Sequence, residues 1–223
     1  MDTPGLSTVR RRMAVAAERA GRNADEIDLV VVSKMRSNEE VLSVYEAGER
    51  IFGENRQQGL RARIEADLPG DIAWHFIGPL QSRKARYVAT HAALLHSLDR
   101  LSLAQRWVAV DGGPALIQFN LAGEPQKVGF DPRHADEVLG EVLEIGVDVR
   151  GVMAIPPLVD DPADSAPWFS MLRGIFEHYR DESPLIDVCS MGMTNDFEIA
   201  VAEGATTIRV GRAIFEGTNT SRH

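Results

Sequence analysis

Residues 28–34 have the sequence Asp-Leu-Val-Val-Val-Ser-Lys, which predicts the first strand of the fold. Its apolar run is continuous, which is typical of a strand buried on both faces in a parallel sheet. Ser37-Asn-Glu-Glu40 then predicts a helix start, because its hydroxyl and its second carboxylate can satisfy the first backbone donors of a helix. Gly48 is suited to end that helix. A strand followed at once by a crossover helix predicts a βα unit.

The same alternation recurs along the rest of the chain. It predicts eight strands, at 28–33, 50–53, 72–77, 93–97, 115–120, 149–155, 185–189 and 206–210. Eight strands that alternate with helices favour an α/β fold, a single (β/α)8 barrel of the TIM type, over an open doubly wound sheet. An extra helix is predicted over about residues 6–20, before the first strand. We therefore expect one domain over residues 1–223.

Composition limits the classes of function. Hydrophobic residues make up 44% of the chain and charged residues 26%, as in ordinary globular proteins. The net charge of −9 argues against binding nucleic acid or an anionic membrane surface, so any anionic ligand needs a local site. No segment approaches the roughly 20 apolar residues that span a bilayer. The arginines at positions 10–12 interrupt what would be the apolar core of a signal peptide. With Cys189 as the only cysteine, we expect a cytoplasmic protein without an intramolecular disulfide.

Lys34 is the first candidate for chemistry. It follows the first strand directly, so it should lie at the mouth of the barrel, where barrel enzymes keep their reactive groups. Partial desolvation beside a cation such as Arg36 would favour the neutral amine, which attacks aldehydes. The alternative is an ordinary surface lysine at a strand end.

Two turns near the end of the chain predict a phosphate site. Residues 190–194, Ser-Met-Gly-Met-Thr, join the seventh strand to a helix start, where backbone N–H groups and the helix dipole attract anions. Gly211 begins a turn after the eighth strand, and the loops after strands seven and eight are the usual phosphate site of this barrel. Alternatively, Ser190 and Thr194 cap a helix and Gly211 only turns the chain.

Other polar residues interrupt or follow apolar strands. Arg209 lies within the eighth strand, and a charge inside a barrel needs a partner, either a ligand atom or a carboxylate. Asn55 and His75 lie near the ends of strands two and three. His75 is suited to proton transfer, but a structural, hydrogen-bonded histidine is the favoured interpretation. The six histidines are scattered without metal-ligand spacing, so no metal is expected.

Several motifs occur together in one order along the chain. They are Val-Val-Val-Ser-Lys34, Phe-Gly-Glu-Asn55, Trp-His-Phe-Ile-Gly78, Leu-Gln-Ser82, His-Ser-Leu-Asp99, Met-Ala-Ile-Pro-Pro157, Ser-Met-Gly-Met193 and Arg209-Val-Gly. The chain resembles the pyridoxal phosphate homeostasis proteins over about residues 27–215. One departure lies at the mouth, where Met35-Arg36-Ser37 replaces the usual Thr-Lys-Pro after the lysine.

The resemblance implies a barrel similar to the N-terminal domain of alanine racemase. It also implies pyridoxal 5′-phosphate (PLP) held as a Schiff base on Lys34, phosphate contacts from residues 190–194 and Gly211, and Arg209 near the pyridine nitrogen. The cofactor-binding residues predicted in this way are Lys34, Asn55, Ser190, Met191, Gly192, Met193, Thr194, Arg209 and Gly211.

The function implied by the resemblance is intracellular vitamin B6 homeostasis, with PLP stored or delivered without turnover. PLP-dependent apo-enzymes are the expected protein partners, and a monomer is expected. Racemases of the related fold use an additional domain that this sequence ends too soon to include, and Arg209 would disfavour protonation of the ring nitrogen. Two alternatives are a slow PLP-dependent racemase or related B6 enzyme, and a barrel enzyme acting on another phosphorylated metabolite.

Overall fold

The computed structural model describes residues 4–124 and 126–216, and within them the strands form a closed parallel barrel. Each strand pairs with the next along the chain, and the last pairs with the first. The predicted (β/α)8 barrel is therefore confirmed. The strands are β1 (Asp28–Val32), β2 (Ile51–Glu54), β3 (Ala73–Phe76), β4 (Leu94–Leu98), β5 (Ala115–Phe119), β6 (Val149–Ala154), β7 (Val188–Ser190) and β8 (Thr207–Val210).

Helices surround the barrel. They are α1 (Pro4–Arg19), α2 (Asn38–Glu46), α3 (Gln57–Ile64), α4 (Ala85–His91), α5 (Leu101–Val108), α6 (Ala135–Ile145), α7 (Ala166–Glu182), α8 (Phe197–Ala202) and α9 (Arg212–Phe215). The predicted capping box at the start of α2 is present, with Ser37 and Glu40 each accepting from the other's backbone N–H. In the described part of the chain, no helix is long and apolar enough to cross a membrane.

The extra N-terminal helix is confirmed as α1, which begins slightly earlier than predicted. Its buried face carries Leu6, Val9 and Met13, a spacing that places them on one side of a helix. This face packs against α8 and α9, the helices that flank β8. Helix α1 therefore covers the barrel where its first and last strands meet.

The seventh strand is shorter and later than predicted. The sequence pattern began it at Leu185, but that side chain is 58% exposed and β7 starts at Val188. Ile186 donates its backbone N–H to the carbonyl of Ser183, so the first part of the apolar run is a turn. The strand also ends one residue later than predicted. Ser190 was expected in the loop that follows it, but Ser190 is the last residue of β7 and is fully buried.

The barrel interior combines an apolar layer with polar side chains. Leu94, Leu116 and Met153 form a separate buried cluster. Arg209 of β8 lies beside Val30 of β1 and is 3% exposed. Buried polar groups on other strands include His75, His96, Gln118 and Ser190. These polar groups and the C-terminal ends of the strands define the functional end of the barrel.

Candidate functional site

A cavity of about 570 Å³ opens at the C-terminal ends of β1, β6, β7 and β8. This volume lies within the usual range of small-molecule sites. The loops after β5 and β6 both contribute, since Lys127 and residues 156–160 reach the cavity. The lining residues are Val32, Lys34, Arg36, Lys127, Ile155, Pro156, Pro157, Leu158, Val159, Asp160, Pro162, Ser165, Met193, Thr194, Asn195, Asp196, Arg209, Gly211 and Arg212.

The cavity concentrates positive charge in an acidic protein. Its cationic side chains outnumber its two carboxylates, Asp160 and Asp196, while the chain as a whole carries −9. The loop after β6 adds an apolar wall at residues 155–159. Such a cavity suits a ligand with an anionic group and a flat apolar body. The cationic side chains are Lys34, Arg36, Lys127, Arg209 and Arg212.

Lys34 lies in the turn directly after β1 and lines the cavity, as predicted from its position. The accompanying expectation of partial desolvation is wrong, because the side chain is exposed. Met35 beside it has a positive φ of 62° and is 99% exposed, so the thioether projects away from the cavity wall. The amine is thus positioned by its turn and is open to an incoming aldehyde.

Arg63 of α3 holds the turn that carries Lys34. Its Nη2 donates to the carbonyls of Ser33, at 2.9 Å, and Arg36, at 2.7 Å, which lie on the two sides of Lys34. Its Nε donates to Glu54 at 3.1 Å, and the Ser33 hydroxyl donates to the same carboxylate at 2.9 Å. The Glu54 and Arg63 side chains are 3% and 7% exposed. A buried ion pair therefore fixes the position of the candidate nucleophile.

Two turns that border the cavity carry backbone N–H groups for which the described residues supply no acceptor. Considering only described residues, the N–H groups of Thr194 and Asn195, after β7, and of Arg212 and Ala213, at the start of α9, have no protein acceptor. Three of these four residues also line the cavity. Free N–H groups directed at one space form an anion cradle.

The predicted phosphate segment 190–194 divides into two parts. Met193 and Thr194 line the cavity, whereas Ser190, Met191 and Gly192 are buried beneath it. Gly192 has φ +87°, and a Cβ there would lie 2.5 Å from the Cβ of Ala200. These buried residues shape the turn instead of lining the cavity.

Gly211 has a steric reason to be glycine. It lines the cavity, and a Cβ at this position would lie 2.8 Å from the carbonyl oxygen of Val32. A side chain would therefore separate the β8 end from the β1 end. The position of Gly211 at the cavity, directly after β8, is consistent with the predicted turn at the phosphate site.

Arg209 is both a cavity residue and part of a buried hydrogen-bond chain. Its Nη2 donates to the Ala154 carbonyl at 3.1 Å, and its Nη1 donates to the Ser190 hydroxyl at 2.6 Å. The Ser190 oxygen lies 3.0 Å from His96 Nδ1, and His96 Nε2 lies 3.0 Å from His75 Nδ1. The chain connects the cavity to the barrel interior.

Burial controls the charges of this chain. Desolvation lowers the pKa of His75 to about 4, and desolvation together with His75 and Arg209 lowers the pKa of His96 well below its usual value. Desolvation lowers the pKa of Arg209 to about 10, with a smaller opposing effect of Asp196. At neutral pH the histidines are neutral and Arg209 is charged. His75 is buried and does not line the cavity, which is consistent with the structural role that the sequence interpretation favoured.

Other positions differ from expectation or were missed. Asn55 follows β2 and is half-buried but is not among the cavity lining residues. Ser165, missed from the sequence, lines the cavity, is 1% exposed, and has a hydroxyl without a hydrogen-bond partner among the described residues. A buried hydroxyl beside a cavity and lacking a partner is a place for a ligand atom. Other polar lining residues outside the predicted set are Lys127, Asn195, Asp196 and Arg212, while Arg36 lies at the mouth as the sequence indicated.

The class of protein follows from a family model. The model described as the alanine racemase N-terminal domain matches residues 6–219. Proteins named pyridoxal phosphate homeostasis protein from Aquifex aeolicus and Escherichia coli K12 are each 37% identical to this chain. The alignments cover 94% and 97% of this chain and 95% and 97% of those proteins. The chain belongs to the pyridoxal phosphate homeostasis protein family.

Solved structures agree with this family. PipY from Synechococcus elongatus, with PLP bound, has a TM-score of 0.77 and 34% identity, covering 91% of this chain and 99% of that one. A protein of unknown function from Bifidobacterium adolescentis has a TM-score of 0.85 and 33% identity, covering 96% of this chain and 94% of that one. A lysine/ornithine decarboxylase from Vibrio vulnificus, at 16% identity and a TM-score of 0.68, shares the fold, covering 93% of this chain and 62% of that one.

The Arg63 network gives a stability prediction. Arg63→Gln should lower the free energy of unfolding by about 3–5 kcal/mol, because Glu54 would stay buried without its cation. Arg61→Gln on the same helix is the control, since its exposed pair with Glu65 at 3.9 Å should contribute less than about 1 kcal/mol. Urea denaturation measures both. Equal losses in the two variants would contradict the assignment, and adding Glu54→Gln to Arg63→Gln should restore part of the loss.

The histidine pair gives a pH prediction. A histidine whose folded pKa lies below its unfolded value binds its proton preferentially in the unfolded chain, so stability falls as pH drops below about 6.5. With the pKa of His75 at about 4, this residue alone should remove about 2 kcal/mol between pH 8 and pH 5.

Urea denaturation at several pH values measures this slope. His75→Gln combined with His96→Asn should flatten it. The window stops at pH 5 because burial raises the pKa of Asp28, Asp99 and Asp196, which oppose the histidines in more acidic solution. A flat wild-type profile would show that these histidines do not titrate as inferred.

Proposed function

We propose that this protein binds PLP and serves intracellular vitamin B6 homeostasis, holding the cofactor on Lys34 and storing or delivering it without turnover. The observation that carries the proposal is one cavity in which an accessible amine lies with a cradle of free backbone N–H groups. The names of the relatives and the PLP bound to PipY support the same ligand.

The cavity residues suit the chemical parts of PLP. The N–H groups of Thr194 and Asn195 and those at the start of α9 would hold the phosphate, with the exposed cation Arg212 beside them. The apolar wall after β6 would lie against the ring. PLP supplies an aldehyde when it is bound. The amine of Lys34 would condense with that aldehyde, forming one C=N bond as a Schiff base and releasing one water molecule.

The position and charge of Arg209 support the proposed absence of turnover. Its guanidinium is buried, carries a positive charge at neutral pH, and lines the cavity. If Arg209 faces the ring nitrogen, its charge opposes a second positive charge there, and the cofactor becomes a poor electron sink. Asp196 is engaged with the Met193 backbone N–H at 2.6 Å. These features favour storage of PLP over catalysis.

The remaining assignments belong to the same proposal. We assign the protein to the cytoplasm, where its buried, unpaired Cys189 suits a reducing compartment. The described barrel carries the cavity on one chain, which is consistent with a monomer. PLP-dependent apo-enzymes are the proposed recipients, because they require the same cofactor.

Covalent capture on Lys34 is the first test. The chain has three lysines, Lys34, Lys84 and Lys127, so the attachment site is readily mapped. After incubation with PLP and borohydride reduction, mass spectrometry of peptides should find the added mass on Lys34. Lys34→Ala should abolish it, and Lys84→Ala, remote from the cavity, should retain it. Labelling of Lys127, which also lines the cavity, would replace the assignment.

The same variants test whether the protein turns over substrate. Exchange of the α-proton of amino acids in deuterated water should be no faster with loaded protein than with free PLP. Sustained exchange that disappears in Lys34→Ala would overturn the non-catalytic assignment and support the slow racemase, while leaving PLP binding intact.

Ser165 gives a prediction with opposite signs in the free and loaded protein. Ser165→Ala removes a buried hydroxyl that has no partner in the described chain, so the free protein should gain up to about 1 kcal/mol of stability. If the hydroxyl contacts bound PLP, affinity should fall about tenfold. Thermal unfolding and PLP titration measure the two effects. Ser170→Ala, exposed on helix α7, which begins directly after Ser165, is the control; lower stability with unchanged affinity would give Ser165 a structural role only.

A further inference from the structure

His75 and His96 are buried titratable groups that PLP binding as proposed does not use. They lie on β3 and β4, within the barrel, and are 9% and 0% exposed. Their rings are in contact, with centroids 5.0 Å apart. Their one connection to the cavity passes through the Ser190 hydroxyl to Arg209, as far as the described residues show.

Only one direction of these hydrogen bonds gives the hydroxyl proton of Ser190 an acceptor among the described residues. Arg209 can only donate, so the Ser190 oxygen accepts from it. The hydroxyl proton of Ser190 then has His96 Nδ1 as its acceptor at 3.0 Å. His96 must carry its own proton on Nε2, which donates to Nδ1 of His75 at 3.0 Å. Both histidines are then neutral with the proton on Nε2.

We propose that His96 is a positioning residue for Arg209, acting through Ser190, with His75 as the terminal acceptor of the chain. The proposal rests on the proposed function only in assigning PLP as the ligand that Arg209 meets. The geometry itself belongs to the protein without a ligand.

Arg209 needs to be positioned because Asp196 is an alternative partner for its guanidinium. Asp196 lines the same cavity as Arg209, and it is the carboxylate whose charge raises the pKa of Arg209. Ser190 and the Ala154 carbonyl occupy the two terminal nitrogens of Arg209 and hold the guanidinium plane. Without the Ser190 acceptor, the guanidinium would turn towards Asp196 and form an ordinary ion pair. The charge offered to a ligand would then be reduced.

The first experiment needs no cofactor. Nitrogen-15 NMR of the histidine rings in the free protein should show both His75 and His96 neutral, with Nδ1 unprotonated. Ser190→Ala removes the donor to His96 and should change the Nδ1 signal of His96, while the His91 signals stay as in the wild type. Protonation of His96 on Nδ1 in the wild type would reverse the chain and overturn the proposal.

The second experiment measures release of PLP. His96→Leu and Ser190→Ala should release PLP about tenfold faster than wild type, the effect of one charge-assisted hydrogen bond. His96→Asn, whose carbonyl can replace Nδ1 as acceptor, should restore most of the wild-type rate. His91→Leu controls for the loss of a histidine outside the cavity. Borohydride labelling of Lys34 should persist in all four variants.

The outcomes separate the two proposals. Failure of wild-type protein to capture PLP would refute the proposed function, and the NMR result would still decide the direction of the chain. Wild-type release rates in both His96→Leu and Ser190→Ala would refute the positioning role. If His96→Leu fails to fold, Ser190→Ala and the NMR measurement decide alone. Loss in His96→Asn equal to that in His96→Leu would also contradict the proposal, because the acceptor would then not matter.

Discussion

The burial of Arg209 inside a closed barrel is the constraint on which the site depends. Strand β8 closes the ring beside β1, with Arg209 next to Val30, and this side chain is 3% exposed where it borders the cavity. A guanidinium held there needs acceptors, because an unpaired buried charge is costly. The hydroxyl of Ser190 and the carbonyl of Ala154 meet that need, and the histidines behind Ser190 complete the polar interior.

A second buried guanidinium, that of Arg63, holds the turn that carries Lys34 to the cavity. Arg63 reaches from α3 to the backbone on both sides of Lys34 and is neutralised by Glu54. Gly59 permits this arrangement, since a Cβ there would lie 2.5 Å from a carboxylate oxygen of Glu54. Arginine suits both structural positions because it stays charged and donates in several directions. Lysine, present three times, supplies the primary amine that can condense with an aldehyde.

Local pattern was sufficient to predict the barrel, since several strands are apolar runs and the segments between them carry helix signals. It was also sufficient to place Lys34, Thr194, Arg209 and Gly211 at the mouth, because the ends of parallel strands share one edge. The pattern failed where tertiary hydrogen bonds decide. The sequence predicts Ser190 in the loop because its pattern ends the strand at Cys189, one residue before the end of β7, and the hydroxyl of Ser165, without a partner among the described residues, depends on packing that no local motif encodes.

The exposure of Lys34 and of the loop after β6 distinguishes a storage site from a catalytic site. Enzymes that stabilise reactive intermediates close their sites and exclude water. Here Lys34 is exposed, and Leu158 on the loop after β6 is 97% exposed, so that side chain does not cover the cavity. A carrier has the opposite requirement, because water or another amine must reach the C=N bond for the aldehyde to leave. Under the proposed function, the fixed cation at Arg209 and the accessible amine at Lys34 serve one purpose: the first limits chemistry on the ring, and the second keeps capture reversible.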